Sequence, residues 1–254
     1  MSVQFDFTGK VAFVTGAGTG IGRAAAQAFA EAGASVAVVG LTEAKTQETV
    51  RLIEQAGGRA ISIQADVANE ADVEDAVGKA LEAFGRIDFA VNNAGVEQPQ
   101  IMFDEISTQE WQRLIGINLG GVFFSMKHQI PVMLKQGGGV IVNIGSGAAA
   151  KGFRKQAAYC ASKFGVVGLS KGAALDYADK NIRVNVVSPG IIATPMMDRF
   201  SGGTDEGMAS VIAQEPVGRM GRPEEIAGTA LWLCSDLGAF TTGANIIVDG
   251  AQTT

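Results

Sequence analysis

The chain has 254 residues, 47% of them apolar and 18% charged. That composition excludes intrinsic disorder and, at about 100–200 residues per domain, allows one large domain or two small ones. Its 20 Lys and Arg against 26 Asp and Glu leave a net charge of −6, so nothing favours a nucleic-acid binder relying on a basic surface. Two cysteines and one histidine make neither a disulfide framework nor a metal set. Apolar runs at 36–39 and 246–248 fall far short of the roughly 20 residues of a bilayer helix. Residues 1–7 have no basic start and no long apolar run. The expectation is a cytoplasmic protein with no metal, no membrane contact and no nucleic-acid partner.

In chain order, residues 10–15 read as a strand that runs into a glycine-rich turn and an Ala-rich helix over 21–31. A strand at 34–39 and a helix over 42–56 follow, then a strand at 60–65, a helix over 70–84 and a strand at 87–91. A long helix over 111–133 precedes a strand at 140–144. A helix over 156–178 leads to a strand at 183–187, and a helix over 224–234 to a strand at 244–248. Strands alternating with helices predict βαβ units and a mostly parallel sheet. Runs such as Val36-Ala37-Val38-Val39 are apolar on both faces, as strands are when helices cover both sides. The expected architecture is α/β: one doubly wound (Rossmann) domain over 1–254 with about seven parallel strands.

The first strand leads directly into Thr15-Gly16-Ala17-Gly18-Thr19-Gly20-Ile21-Gly22. Glycines there permit a tight turn and close approach of backbone to a pyrophosphate, and the following helix N-terminus favours the anion. The spacing at 16, 18, 20 and 22 is not GxGxxG, and a glycine turn alone is weak evidence. Gly40 ends the second strand, where dinucleotide sites usually place a carboxylate against the ribose 2′-hydroxyl. Without it a 2′-phosphate meets no repulsion. Leu41 brings no charge, Thr42 offers a hydroxyl and Lys45 a charge one turn on, a slight lean to NADP(H) over NAD(H).

Tyr159 and Lys163, four residues apart in a predicted helix, share a face. A phenol with a pKa of about 10 is a poor base at neutral pH, and a neighbouring ammonium is expected to lower that value. The bare pair is weak evidence. Ser146 strengthens it by following the strand at 140–144, at the carboxyl end where open α/β sheets place their sites. Asn118 falls in the long helix, and Asn92-Asn93-Ala94-Gly95 follows the fourth strand.

These motifs, with Asp66 and Ser188-Pro189-Gly190, resemble the short-chain dehydrogenase/reductase family over almost the whole chain, and the glycine spacing matches that family's own. The resemblance implies Tyr159 as general acid and base, and Lys163 holding the nicotinamide ribose and depressing the tyrosine pKa. It implies Ser146 orienting the substrate oxygen and Asn118 anchoring a water in the proton relay. It assigns Asp66 and Val67 to the adenine, the segment Asn92-Asn93-Ala94-Gly95 to the ribose side, and Pro189, Gly190, Ile192 and Thr194 to the nicotinamide end. A homotetramer is implied in the same way. The expected reaction interconverts a small-molecule secondary alcohol and ketone with NAD(P)(H). Alternatives are a 3-oxoacyl-carrier-protein reductase, a glucose-dehydrogenase-like enzyme, and a non-catalytic dinucleotide sensor.

The segment around 194–216, with Gly202-Gly203 between short helical stretches, reads as a substrate lid. Val96, Glu97, Gln98, Ala148, Phe153, Ile191, Met196 and Met197 are candidate walls of a mainly apolar pocket. Lys151, Arg154 and Lys155 form a small basic cluster nearby. His128 and Cys160 are assigned no chemistry.

Overall fold

Strands apolar on both faces are stable only between two helical layers, and the chain folds accordingly. The computed structural model describes residues 4–254, so the reading of residues 1–7 lies partly outside the described residues. In order, the elements are β1 (Val11–Thr15), α1 (Gly20–Glu31), β2 (Ser35–Gly40), α2 (Glu43–Gln55), β3 (Arg59–Gln64), α3 (Glu70–Phe84) and β4 (Phe89–Asn92). Then come α4 (Thr108–Leu114), α5 (Gly121–Gln136), β5 (Gly139–Ile144), α6 (Ala157–Tyr177) and β6 (Ile182–Pro189). Helices α7 (Pro195–Phe200), α8 (Asp205–Ile212) and α9 (Pro223–Cys234) precede β7 (Asn245–Val248).

All seven strands are parallel, in the order β3-β2-β1-β4-β5-β6-β7. The two-residue period of a strand splits β1 between the faces. Ala12 and Val14 join Phe29, Ile226 and Leu233 on one side, while Phe13 joins Val77, Met133 and Val166 on the other. Strand order reverses between β1 and β4, and the crevice beyond their carboxyl ends is where such sheets bind ligands.

Element ends differ from the sequence reading by a few residues at most, with two informative exceptions. Strand β6 runs to Pro189 because Ser188 and Pro189 pair with Ile247 and Val248 of β7. The helix expected over 111–133 is α4 and α5 joined by a π-helical stretch, Ile115–Gly120. Glycines 116, 120 and 121 weaken the α-helix there. At Gly121 a Cβ would lie 2.7 Å from Val67 Cγ2, so the helix meets Val67 with its backbone. π-Bulges of this kind often mark functional sites, and Asn118 is buried in this one.

A chain of buried amides crosses the sheet to α5 and α6. The Asn92 amide donates to Gln129 at 3.1 Å and to Asn143 at 2.9 Å, and Asn143 donates to Ser170 at 2.9 Å. At the opposite end of the sheet, Asp88 takes a bidentate pair from Arg86 and the Val11 amide. His128 meets Glu70 at 3.2 Å, linking α5 to α3. Among the described residues no helix is long and apolar enough to cross a membrane, and Cys160 and Cys234 are buried and unpaired.

Candidate active site

The turn after β1 is shaped by what lies against it. A Cβ at Gly16 would come within 2.8 Å of Ala94 Cα, and one at Gly22 within 2.3 Å of the Gly16 carbonyl. Gly20 has φ +54°, in the left-handed region that favours glycine. Thr19 caps α1 without a side-chain hydrogen bond, leaving the first-turn amides, with Ile21 among them, free for an anion. Arg23 donates to the Gly18 carbonyl at 2.5 Å. Side chains would fill this backbone cradle, and its chemistry suits a pyrophosphate.

Facing it, the loop after β4 is stitched to the β1 turn. Thr15 Oγ1 accepts from the amides of Asn93 and Ala94 at 3.0 and 3.1 Å, and the Asn93 amide donates to the carbonyls of Thr15 and Gly16. Asn92, expected on the cofactor side, has its side chain buried in the amide network, so only its main chain is open to that role. The neighbouring Asn93 instead lines the cleft.

That cleft, of about 360 Å³, is bounded by Ile21, Asn93, Gly95, Ser146, Tyr159, Lys163, Pro189, Gly190, Ile192 and Thr194. All eight expected walls of the substrate pocket also line it. The remaining expected cofactor residues lie outside it, towards the ends of β1, β2 and β3. Leu41 and Thr42 are exposed and Val67 is buried. Asp66 Oδ1 accepts from the Ala68 amide at 2.9 Å, and the helix cap of α3 is Asn69, not Asp66.

Lys163 is buried, its Nζ donating to the Ile144 carbonyl at 3.0 Å and lying 5.8 Å from the Tyr159 ring centroid. Burial depresses the ammonium to about 8. The Tyr159 phenol moves against expectation: burial raises it, and the hydrogen bond from Ser146 offsets this only in part. Withdrawal of the phenolate from water outweighs the stabilisation it gains from the Ser146 hydroxyl. Ser146 Oγ accepts from the Ala148 amide at 3.1 Å, which fixes the hydroxyl at the lip of β5.

The Asn118 side chain accepts from the Val96 amide at 2.8 Å and donates to the Val96 carbonyl and Ser162 Oγ. With these partners it braces the loop after β4. Sequence reasoning missed what Gln98 does. Fully buried, it accepts from the Tyr159 amide at 2.8 Å and donates to the Lys155 carbonyl. It thus caps α6 from another loop at the residue that carries the phenol.

Over the cleft, α7 contributes Met196, Met197 and Phe200, and Arg199 grips Glu97 with two bonds of 2.7 and 3.2 Å. Gly202 and Gly203, at φ +73° and +68°, separate α7 from α8. Beyond α8, Glu215 is buried and accepts from the Ile191 amide at 2.6 Å.

Residues 16–253 match a family model described as enoyl-(acyl carrier protein) reductase. The chain is 42% identical over 247 residues to a cyclohexanol dehydrogenase of an Acinetobacter species, covering 97% of this chain and 96% of that protein. It is 41% identical to a short chain dehydrogenase/reductase of Aspergillus oryzae, covering 97% and 95%. A solved short-chain type dehydrogenase/reductase from Mycobacterium marinum superposes with a TM-score of 0.93 at 37% identity, covering 98% of each chain. The chain belongs to the short-chain dehydrogenase/reductase family. It is an oxidoreductase of the alcohol–carbonyl type, and the doubly wound fold expected from its sequence is that of the family.

Within this short-chain dehydrogenase/reductase, the buried lysine has a thermodynamic signature. An unfolded lysine titrates near 10.5 and the folded one near 8, so the unfolded chain binds more protons between those values. The cost of burying the charge is therefore present in full below pH 8 and disappears as pH approaches 10.5. Lys163→Met is expected to raise Tm at pH 7 while losing activity, with the stability margin shrinking across that window. A margin independent of pH, followed by thermal denaturation in a series of buffers, would contradict this account.

Proposed function

We propose that the protein is an NAD(P)(H)-dependent dehydrogenase that interconverts a secondary alcohol, aliphatic or cyclic, with its ketone. The observation that carries this reading is the meeting of Ser146, Tyr159 and Lys163 in one cleft beside the glycine cradle. When bound, the dinucleotide supplies the acceptor or donor of hydride.

The chain's own residues account for the rest. Gly16 to Gly22 would take the pyrophosphate on backbone amides, and Lys163 would hold the nicotinamide ribose through its ammonium. Pro189, Gly190, Ile192 and Thr194 would seat the nicotinamide end. The Ser146 hydroxyl orients the substrate oxygen and stabilises developing alkoxide charge. Tyr159 donates its phenolic proton to that oxygen in reduction and takes it in oxidation. Asn118 and Gln98 are positioning residues, one bracing Val96 and the other Tyr159. The segment around 194–216 acts as a lid, with Gly202 and Gly203 as its hinge.

The similarity to a cyclohexanol dehydrogenase and the apolar walls of Ile191, Met196, Met197 and Phe153 support a cyclic substrate. Docking of an acyl-carrier protein has less support, because the Lys151 ammonium is directed to the Gln252 carbonyl and the Phe153 ring. That leaves only Arg154 and Lys155 of the basic cluster. A silent dinucleotide sensor has no use for a buried Lys163 whose solvation has been given up. Exposed Trp111, Phe123, Phe164 and Leu175 on α4, α5 and α6, with Phe240 and Ile247 near β7, support a homotetramer. Two unpaired cysteines suit a cytoplasmic location.

The cofactor reading leans to NADP(H). Lys45 packs its Cβ against Gly18, and no carboxylate ends β2. A Cβ at Gly40 would sit 3.0 Å from Thr46 Cγ2, so a new carboxylate is better placed at exposed Leu41. Leu41→Asp is expected to weaken NADPH binding about tenfold or more relative to NADH, by repulsion of the 2′-phosphate. An unchanged ratio in fluorescence titrations would sink the lean.

Tyr159→Phe is expected to reduce turnover by at least about a hundredfold with dinucleotide affinity nearly unchanged. Turnover at the wild-type rate, read at 340 nm with a panel of ketones, would reassign the acid. Because burial raises the phenol, it is protonated at neutral pH. Reduction should therefore hold through neutrality, decline above about pH 8 as Lys163 loses its proton and fall further in strong alkali, while the chemical step of oxidation climbs with pH. A reduction rate that rises with pH together with an oxidation rate that falls would refute Tyr159 as the shared acid and base.

A further inference from the structure

The last turn of the chain enters the catalytic cleft. After β7, Gly250 and Ala251 both take positive φ, +58° and +72°, and fold the chain back on itself. Asp249 holds that turn by accepting from the Ala251 amide at 3.0 Å, the Thr253 amide at 2.9 Å and Thr253 Oγ1 at 2.6 Å. The Gly250 carbonyl accepts from the Val217 amide at the end of the lid, and Lys151 donates to the Gln252 carbonyl. These bonds fix the backbone of Gln252 on both sides.

Its side chain then projects into the cleft, 9% exposed. A Cβ at Gly147 would lie 2.9 Å from Gln252 Oε1 and 3.8 Å from Phe153 Cζ. The carboxamide therefore occupies the space left by the missing side chain of Gly147, one residue from Ser146. Among the described residues neither Oε1 nor Nε2 of Gln252 has a protein hydrogen-bond partner, a state it shares with Gln156 at the start of α6 and not with three other polar side chains of the cleft. Gln98 is engaged by Tyr159 and Lys155, Glu97 by Arg199, and Gln214 by the Ser210 carbonyl.

A carboxamide both donates and accepts, and one that faces a cleft without a protein partner is free to exchange water for a ligand oxygen. We infer that Gln252 determines substrate specificity by binding a second oxygen of the substrate, on the carbon next to the reacting one. The preferred substrates are then vicinal diols and α-hydroxy ketones. This rests on the alcohol dehydrogenase reading. It adds no chemical step: Ser146 and Tyr159 handle the reacting oxygen, and the amide takes its neighbour.

The test compares cyclohexanol with both isomers of cyclohexane-1,2-diol in wild type, Gln252→Leu and Gln252→Glu. Wild type is expected to favour one diol isomer in kcat/KM. Gln252→Leu should lower kcat/KM for that diol about five- to tenfold, the scale of one neutral hydrogen bond, and leave cyclohexanol within about twofold. Gln252→Glu, which keeps an acceptor and the shape of the tail, should retain part of the preference. Calorimetric binding of the same ligands should show the same selective weakening. Equal losses on both ligands, or wild type binding diol and cyclohexanol alike, overturn the role of the amide. Selective diol binding without turnover by any variant supports that role and counts instead against the dehydrogenase reading.

Discussion

One hydrogen bond organises the site: the Lys163 ammonium on the Ile144 carbonyl at the end of β5. It ties α6 to the sheet at the residue pair preceding Ser146, so the bond that buries the cation also brings the phenol and the serine together. The arrangement is costly. A cation withdrawn from water with a single protein acceptor lowers its own pKa, to about 8 here, and stability is given up for placement. The surrounding structure must over-determine that placement. Asn118 does so from the π-helical stretch by bonding Val96 and Ser162, and Gln98 by holding the Tyr159 amide.

The same economy explains the opposition of the two loops at the crevice. The β1 turn leaves its amides free for an anion, so it cannot stabilise itself with the usual caps. Asn93 binds it from across the gap, donating to Thr15 Oγ1 and to the carbonyls of Thr15 and Gly16, and Gly16 and Gly22 leave no side chain in the way. Anion binding and loop stitching thus draw on opposite faces of one turn.

How much of this was legible in the sequence follows from the range of each interaction. The fold was legible because strand and helix periods are local and because both-face apolarity in β2 reports two covering layers. The residue types of the candidate site were legible because Tyr159 and Lys163 share a helix face and Ser146 follows a strand. The π-helical stretch was not, since its cause includes Val67 pressing on Gly121, 54 positions away in the chain. Gln98 and Asn93 differ from ordinary loop residues only by partners 61 and 78 positions away. The Asn92–Gly95 motif divides in the fold for the same reason, with the Asn92 side chain in the core and Asn93 on the cleft. The raised phenol was missed because spacing predicts the distance to a cation but not the desolvation of both groups.

The segment proposed as a lid and the C-terminal turn are bonded to one another. The segment after β6 crosses the cleft as α7, is clamped at its outer edge by Arg199 on Glu97, and returns through Glu215 to the Ile191 amide. The tail then closes the back wall, with Gly250 bonded to Val217 beside the end of that segment. The clamp is an exposed pair of modest strength, whereas Glu215 is buried and burial raises its carboxyl. The outer contact is thus open to water and the inner one is shielded from it, and the left-handed glycine pair lies between them. Under the proposed lid motion the outer pair is the contact to break, while Ile191 and Gln252 belong to segments bonded to the sheet end. Met196, Met197 and Phe200 face the cleft from the segment proposed to move, and the Gln252 amide faces it from the turn held beside Gly147.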